Sequence, residues 1–196
     1  MTLYCATGNA GKLREFRLAA RRSGVEVLVL PDLSRLPACE ETGRTFEENA
    51  ISKAAYYGQH ASGLLFADDS GLEVDALGTA PGVLSARYVG LSAPDAANNA
   101  LLLENLRGKQ DRRARFVCVI ALADRGKLVQ TFRGVVEGTI LDAPRGAEGF
   151  GYDPLFYYAP LGRSFGEISI GEKLAVSHRG AALTALFEFL NLRLHL

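Results

Sequence analysis

Short apolar runs alternate along this chain with longer stretches whose apolar residues recur every three or four positions, the pattern of strands interleaved with helices. Leu3-Tyr4-Cys5-Ala6 reads as a buried strand, Gly8 to Gly11 as a loop, and Lys12 to Arg22 as a helix carrying Leu13, Phe16 and Ala20 on one face. Val25 to Leu30 is a second strand, stopped by Pro31. A polar loop through Glu40-Glu41-Thr42-Gly43 leads to a helix opened by Thr45, with Glu48 three residues on as a capping box, and running to about Gly63. Leu64 to Ala67 predicts the next strand, Leu72 to Leu77 another extended segment, and Pro94 to Arg107 a helix with Leu101, Leu102 and Leu106 inward. Arg115 to Ala123 and Leu128 to Leu141 flank the turn-rich Asp124-Arg125-Gly126-Lys127, which predicts an antiparallel hairpin. Ser177 to about Leu192 is an amphipathic helix with Leu183, Leu186, Phe187 and Leu190 on its apolar side. No internal repeat, low-complexity segment or linker interrupts the pattern, so residues 1–196 read as one α/β unit built on a mixed sheet.

A chain of 196 residues can bury roughly 70% of its unfolded surface, enough for a core without disulfide staples. Its three cysteines, Cys5, Cys39 and Cys118, lack metal-ligand spacing, which predicts reduced, structural thiols. The 22 basic and 22 acidic residues cancel, which argues against a footprint for long nucleic acid. Anion binding is then a local matter, for which Lys12, Arg14, Arg17, Arg21, Arg22, Arg112, Arg113, Arg115, Lys173 and Arg179 are the available cations. The N-terminal run Thr2 to Ala6 is too short for a signal peptide's apolar region, no later stretch approaches a membrane span, and the expected location is the cytoplasm.

Five motifs stand out. Ala67-Asp68-Asp69-Ser70-Gly71-Leu72 delivers two adjacent carboxylates to the end of a strand, before a glycine turn. They are either turn residues or, because carboxylates resist desolvation, a pair awaiting a cation such as Mg²⁺. Thr7-Gly8-Asn9-Ala10-Gly11-Lys12 joins a strand to a helix, where backbone N–H groups and a lysine suit a phosphate, although an ordinary strand-to-helix turn has the same residues. Glu40 and Glu41 precede a helix and are either solvated loop acids or further oxygen ligands for a metal at the Asp68-Asp69 corner. Gly149-Phe150-Gly151-Tyr152-Asp153-Pro154 holds a ring between glycines, as a base-stacking platform or a core plug, and Lys173 with Ser177-His178-Arg179 places donors at the start of the last helix.

The ordered set Thr7-Gly8-Asn9-x-x-Lys12, Glu41-Thr42-Gly43-x-Thr45-Phe46-x-Glu48-Asn49-Ala50, Ala67 to Leu77, Pro81-Gly82-Val83-x-Ser85-Ala86-Arg87-Tyr88, Phe150 to Pro154 and Ser177-His178-Arg179-Gly180 closely resembles the inosine triphosphate pyrophosphatase family, the XTP/dITP diphosphatases. The small departures, at Gly78-Thr79-Ala80-Pro81 and at Gly171 before Glu172, touch no position of chemical interest. The resemblance implies an elongated mixed sheet with flanking helices, two lobes around a central cleft, and a homodimer. It implies Mg²⁺-dependent hydrolysis of ITP, dITP and XTP to the monophosphate and pyrophosphate. By the same resemblance Asp69 is the proton acceptor and a metal ligand with Glu40. Thr7, Gly8, Asn9, Ala10, Gly11, Lys12 and Ser70 would hold the triphosphate. Phe150 would stack on the purine, Gly151, Tyr152 and Asp153 would shape its pocket, and Lys173, His178 and Arg179 would contact the base and its 6-oxo group.

Overall fold

In the computed structural model, which describes residues 1–21 and 23–194 apart from the Leu194 side chain, seven strands form one mixed sheet. They are β1 (Thr2–Cys5), β2 (Glu26–Val29), β3 (Leu64–Val74), β4 (Arg113–Asp124), β5 (Lys127–Ile140), β6 (Phe156–Tyr158) and β7 (Arg163–Ser164), and their order across the sheet is β2-β1-β3-β4-β5-β6-β7. β1 is parallel to β2 and β3, with Leu3 opposite Val27 and Cys5 opposite Phe66, whereas β6 is antiparallel to β5 and β7. The helices are α1 (Ala10–Ala20), α2 (Phe46–Gly58), α3 (Asp95–Asn105), α4 (Ile170–Val176) and α5 (His178–Leu194). An α/β chain with a mixed, helix-flanked sheet is what the alternating pattern predicts. Among the described residues no helix is long and apolar enough to cross a membrane.

The chain divides into two compact units, and β3, β4 and β5 each contribute residues to both. The first unit comprises Met1–Asp69, Cys118–Gly134 and the chain from His178 onward. It holds the parallel strands together with α1, α2 and α5. Its interior includes Phe16 and Phe66, rings edge-on with centroids 4.9 Å apart, and a cluster of Leu30, Ala61 and Leu65 packed by Tyr4 and Tyr57. The hairpin expected at Asp124-Lys127 is present: Arg125 and Gly126 both have positive φ, 48° and 81°, as a two-residue turn matched to strand twist requires.

The second unit comprises Ser70–Val117 and Val135–Ser177. Leu72, Val74, Leu102, Leu106, Phe116, Phe156 and Phe165 form its core, with the Phe116 and Phe156 rings 4.6 Å apart. Burial of each such side chain is worth about 1.5–3 kcal/mol relative to leaving it in water, so this cluster dominates the unit's stability.

Several boundaries differ from the expected ones. Helix α1 begins at Ala10 because the Asn9 side chain caps it, accepting a hydrogen bond from the Lys12 N–H at 3.0 Å. Arg22, expected as its last residue, lies outside the described residues. Helix α2 ends at Gly58, short of Gly63, and the extended segment predicted at Leu72 to Leu77 is strand as far as Val74 and then a single-turn 3-10 helix at Asp75–Leu77. The acidic pair was expected at a strand end before a turn, but β3 runs unbroken from Leu64 to Val74. Pairing with the twelve-residue β4 carries it across Asp68-Asp69-Ser70-Gly71, overriding the turn preference of those residues.

Candidate active site

β1 stops at Cys5, which pairs with Phe66, so β3 continues past the carboxyl end of its parallel neighbour from Ala67 onward. That step is where ligands gather in sheets of this kind, and it carries Asp68 and Asp69. Successive strand residues point to opposite faces, and the two acids accordingly meet different partners. Asp68 accepts from Lys12 at 2.8 Å, with the Arg179 guanidinium 3.7 Å away. Asp69 accepts from Lys53 at 2.8 Å through Oδ1 and from the Asn49 amide at 3.2 Å through Oδ2. Asn49 and Lys53 lie four apart on α2, which places both side chains on one face.

The charge states of the pair diverge for a physical reason. Burial pushes both carboxyls up, but at Asp68 the cations Lys12, Arg179 and Lys53 outweigh it and hold the group at about 2. At Asp69 burial wins over Lys53 and Lys12, and the carboxyl is raised above its ordinary 3.8. Asp68 is thus held as an anion among cations, while burial makes Asp69 the more readily protonated of the two. Lys53 itself is held in the cationic form: its burial opposes the charge, but Asp69, Asp68 and Glu41 more than compensate.

Glu41 also accepts from Lys53, at 2.9 Å, and so belongs to the Asp69 corner; Glu40 is exposed. Behind Asp68 a second buried ion pair joins Arg179 on α5 to Glu15 on α1 at 2.5 Å, both side chains at most 3% exposed. In the loop before α1, the Thr7 hydroxyl accepts from the Asn9 N–H at 3.1 Å, while Gly8, Asn9 and Ala10 are exposed and Gly11 is buried. His178 opens α5 and is buried, like Arg179. Lys53, Asn49 and Glu15 escaped the sequence reading as site residues. Asn49 stood within a quoted motif without a role, and the further signals were spacings, Lys53 four positions beyond Asn49 and Glu15 three beyond Lys12.

In the second unit the loop Gly149–Asp153 is held from within. Asp153, 2% exposed, accepts from the Phe150 N–H at 2.9 Å and from Lys173 of α4 at 2.5 Å. The Lys173 ammonium also lies 4.6 Å from the centroid of the half-buried Phe150 ring, a cation–π contact. The Tyr152 hydroxyl donates to the Ser85 carbonyl at 2.8 Å, and Ser70, half-buried, begins this unit on β3. Helix α4, which presents Lys173, had no counterpart among the expected elements, although Ser169 and Glu172 spell out its capping box. Gly149 has φ +77°, and a Cβ there would collide with the Asp153 carboxylate. Gly149→Ala is therefore expected to destabilise the protein by about 1–3 kcal/mol, measured as a shifted denaturant midpoint; an unchanged midpoint would show that the loop tolerates a side chain there.

The cysteines take no part in this chemistry. All three are free, and burial pushes the Cys5 and Cys118 thiols up to about 12, so both are inert near neutrality.

Comparison with known proteins agrees over nearly the whole chain. The model of the Ham1 family matches residues 3–189. A dITP/XTP pyrophosphatase of Acidobacterium capsulatum is 50% identical over 196 residues, covering 95% of this chain and 96% of the relative. Among solved structures, a HAM1 protein from Coxiella burnetii superposes with a TM-score of 0.87 at 41% identity, covering 97% of this chain and 98% of the other. The Staphylococcus aureus Ham1 protein gives 0.86 at 40% identity with the same coverage. With a match of this extent, and with the acidic pair, the glycine loop and the aromatic loop each in place on the fold, the chain belongs to the Ham1 family.

Proposed function

We propose that the chain, acting through residues 1–196 as one catalytic unit, hydrolyses deaminated purine nucleoside triphosphates (ITP, dITP and XTP) to the monophosphate and pyrophosphate, clearing them from the nucleotide pool. The observation that carries this reading is the Asp68-Asp69 corner: an acid raised toward proton exchange stands beside an acid held ionised, with Lys12 of the glycine loop and Lys53 directly bonded to them. Such a site pairs a base for water with positive charge for a polyphosphate.

Asp69 takes the proton from a water attacking the α-phosphorus, and the pyrophosphate leaves from the opposite side. Lys12 and Lys53 offset the charge of the polyphosphate, and the loop Thr7, Gly8, Asn9, Ala10 and Gly11, with Ser70, positions it. Asp69 and Glu41 converge on one ammonium at 2.8 and 2.9 Å, so their oxygens fit a common cation; Glu40, next along the chain, is the other candidate. Hard oxygen donors of this number suit Mg²⁺, which keeps water and phosphate oxygens as its other ligands. When bound, Mg²⁺ supplies charge neutralisation of the phosphates.

In the second unit Phe150 stacks on the purine, Gly151, Tyr152 and Asp153 shape its surroundings, and Lys173 donates to the base. His178 and Arg179 are the further donors. A donor set facing a 6-oxo oxygen disfavours the 6-amino group of ATP, a mismatch that can reach about 10⁴-fold. We further propose a cytoplasmic homodimer that binds neither long nucleic acid nor membrane.

The test is product identity. With ITP and Mg²⁺ the protein should release pyrophosphate and IMP, with kcat/KM for ITP at least about 10²-fold above that for ATP. Orthophosphate with a covalent phosphoenzyme would point instead to an aspartyl nucleophile, and binding without turnover to a nucleotide sensor; either result rejects the proposal.

A further inference from the structure

The aromatic loop is held from outside as well as from within. Asp95 and Asn99 lie four residues apart on α3, on one face of the helix. The Asp95 carboxylate accepts from the Gly151 N–H at 2.6 Å, and the Asn99 amide donates to the Gly151 carbonyl at 3.0 Å. Both polar atoms of a single peptide residue are thus taken by one helix. Gly151 itself has φ +63°, a conformation that leaves its backbone poorly held by local preferences alone. Phe150, immediately before it, is fixed at its N–H by Asp153.

A cavity of about 440 Å³ lies along this contact, lined by Asp95, Asn99, Leu103, Pro144, Glu148 and Phe150 among others. With open volume beside the ring, close packing does not set its position. The two hydrogen bonds to Gly151 add a restraint from α3 to those that Asp153 and Lys173 supply. Asn99 is 9% exposed, and its Oδ1 is buried without a hydrogen-bond partner among the described residues. Leaving an amide oxygen unsatisfied is costly, so the residue is placed for its donor half, which reaches Gly151.

From this geometry we propose that Asp95 and Asn99 are positioning residues for base recognition: α3 clamps the Gly151 peptide and so presets the Phe150 ring against which the purine stacks. The inference rests on the function proposed above and deepens it. The competing explanation for Asp95 is electrostatic, since it occupies the first turn of α3, where any anion is favoured. Asp95→Asn separates the two, because the amide oxygen still accepts from Gly151 while the charge is gone.

The experiment compares wild type with Asn99→Leu, Asp95→Ala and Asp95→Asn, using ITP as substrate and inorganic tripolyphosphate, which has no base, as competitive inhibitor. Asn99→Leu and Asp95→Ala should each raise KM for ITP about tenfold, the scale of a weakened base–aromatic stack, with kcat within about threefold of wild type. The inhibition constant for tripolyphosphate should not move, and Asp95→Asn should restore KM to within about threefold of wild type. The clamp is overturned if KM is unchanged, if kcat falls instead, if the tripolyphosphate constant rises in parallel with KM, or if Asp95→Asn behaves like Asp95→Ala. Wild type that yields no pyrophosphate from ITP overturns the functional reading and the clamp with it; active wild type with indifferent variants overturns the clamp alone.

Discussion

Asp69→Asn should lower kcat for ITP by about 10²-fold or more, the range for loss of a general base, while the protein remains folded. Asparagine keeps the size of the side chain and an oxygen for the Lys53 ammonium, which also has Glu41 at 2.9 Å, so no cation is left without a carboxylate. What disappears is the carboxylate whose hold on a proton is raised by burial above the ordinary range. Pyrophosphate release under saturating ITP, with circular dichroism as the check on folding, measures it. Turnover within a few-fold of wild type would remove Asp69 from the role of base and return the choice to Glu41 or another acid.

Arg179→Met should cause the largest loss of stability of any single substitution considered. The guanidinium is 3% exposed and stands between Glu15 at 2.5 Å and Asp68 at 3.7 Å, both buried carboxylates. Removing one partner from a buried charge cluster leaves the remaining charge poorly compensated, at a cost of about 3–5 kcal/mol, which for a chain of this length lowers Tm by roughly 10 °C. The pH dependence supplies an internal check. In wild type the Asp68 carboxyl sits at about 2, below its ordinary 3.8, so its contribution to stability is complete above that ordinary value and fades as pH falls toward 2. Without Arg179 burial is less opposed, and Asp68 accepts a proton more readily in the folded state. The deficit of the variant relative to wild type should therefore shrink as pH is lowered from 7 toward 4. A Tm within about 2 °C of wild type, a shift equivalent to under 1 kcal/mol, or a deficit independent of pH, would show that Glu15 and Asp68 do not depend on Arg179.

Much of the local structure follows from short-range chemistry. Thr45 caps α2 as expected, accepting from the Glu48 N–H at 3.1 Å, although Glu48 reaches the Arg44 N–H rather than closing the box on Thr45 itself. Phe46 and Ala50, four apart, are both buried, and the hairpin turn sits where its residues placed it. Those features depend on neighbours within a few positions, so the residues themselves carry the signal. Helix α4 was equally legible in Ser169 and Glu172 and was missed, while the two- and three-residue strands β6 and β7 are too short for periodicity to register.

Other features depend on partners remote in the chain. The continuity of β3 through four turn-forming residues comes from β4, some forty positions away, and no propensity scale contains that neighbour. The same holds for the acids at its step. Composition and motif identify Asp68 and Asp69 as unusual, but which cations and amides each of them meets is decided by the sheet pleat. The pleat turns one toward Lys12 and Arg179 and the other toward Lys53 and Asn49.

From its residues alone this chain determines its class, its longer elements, its family and the segments that carry chemistry, because periodicity, capping and motif order are local properties written along the chain. Tertiary structure alone decides the different partners of the adjacent carboxylates, the recruitment of Lys53 and Glu15, and the hold of α3 on Gly151. Each of those is an electrostatic or hydrogen-bonded contact between segments 12 to 164 residues apart, and its strength is set by burial, which no stretch of sequence specifies by itself.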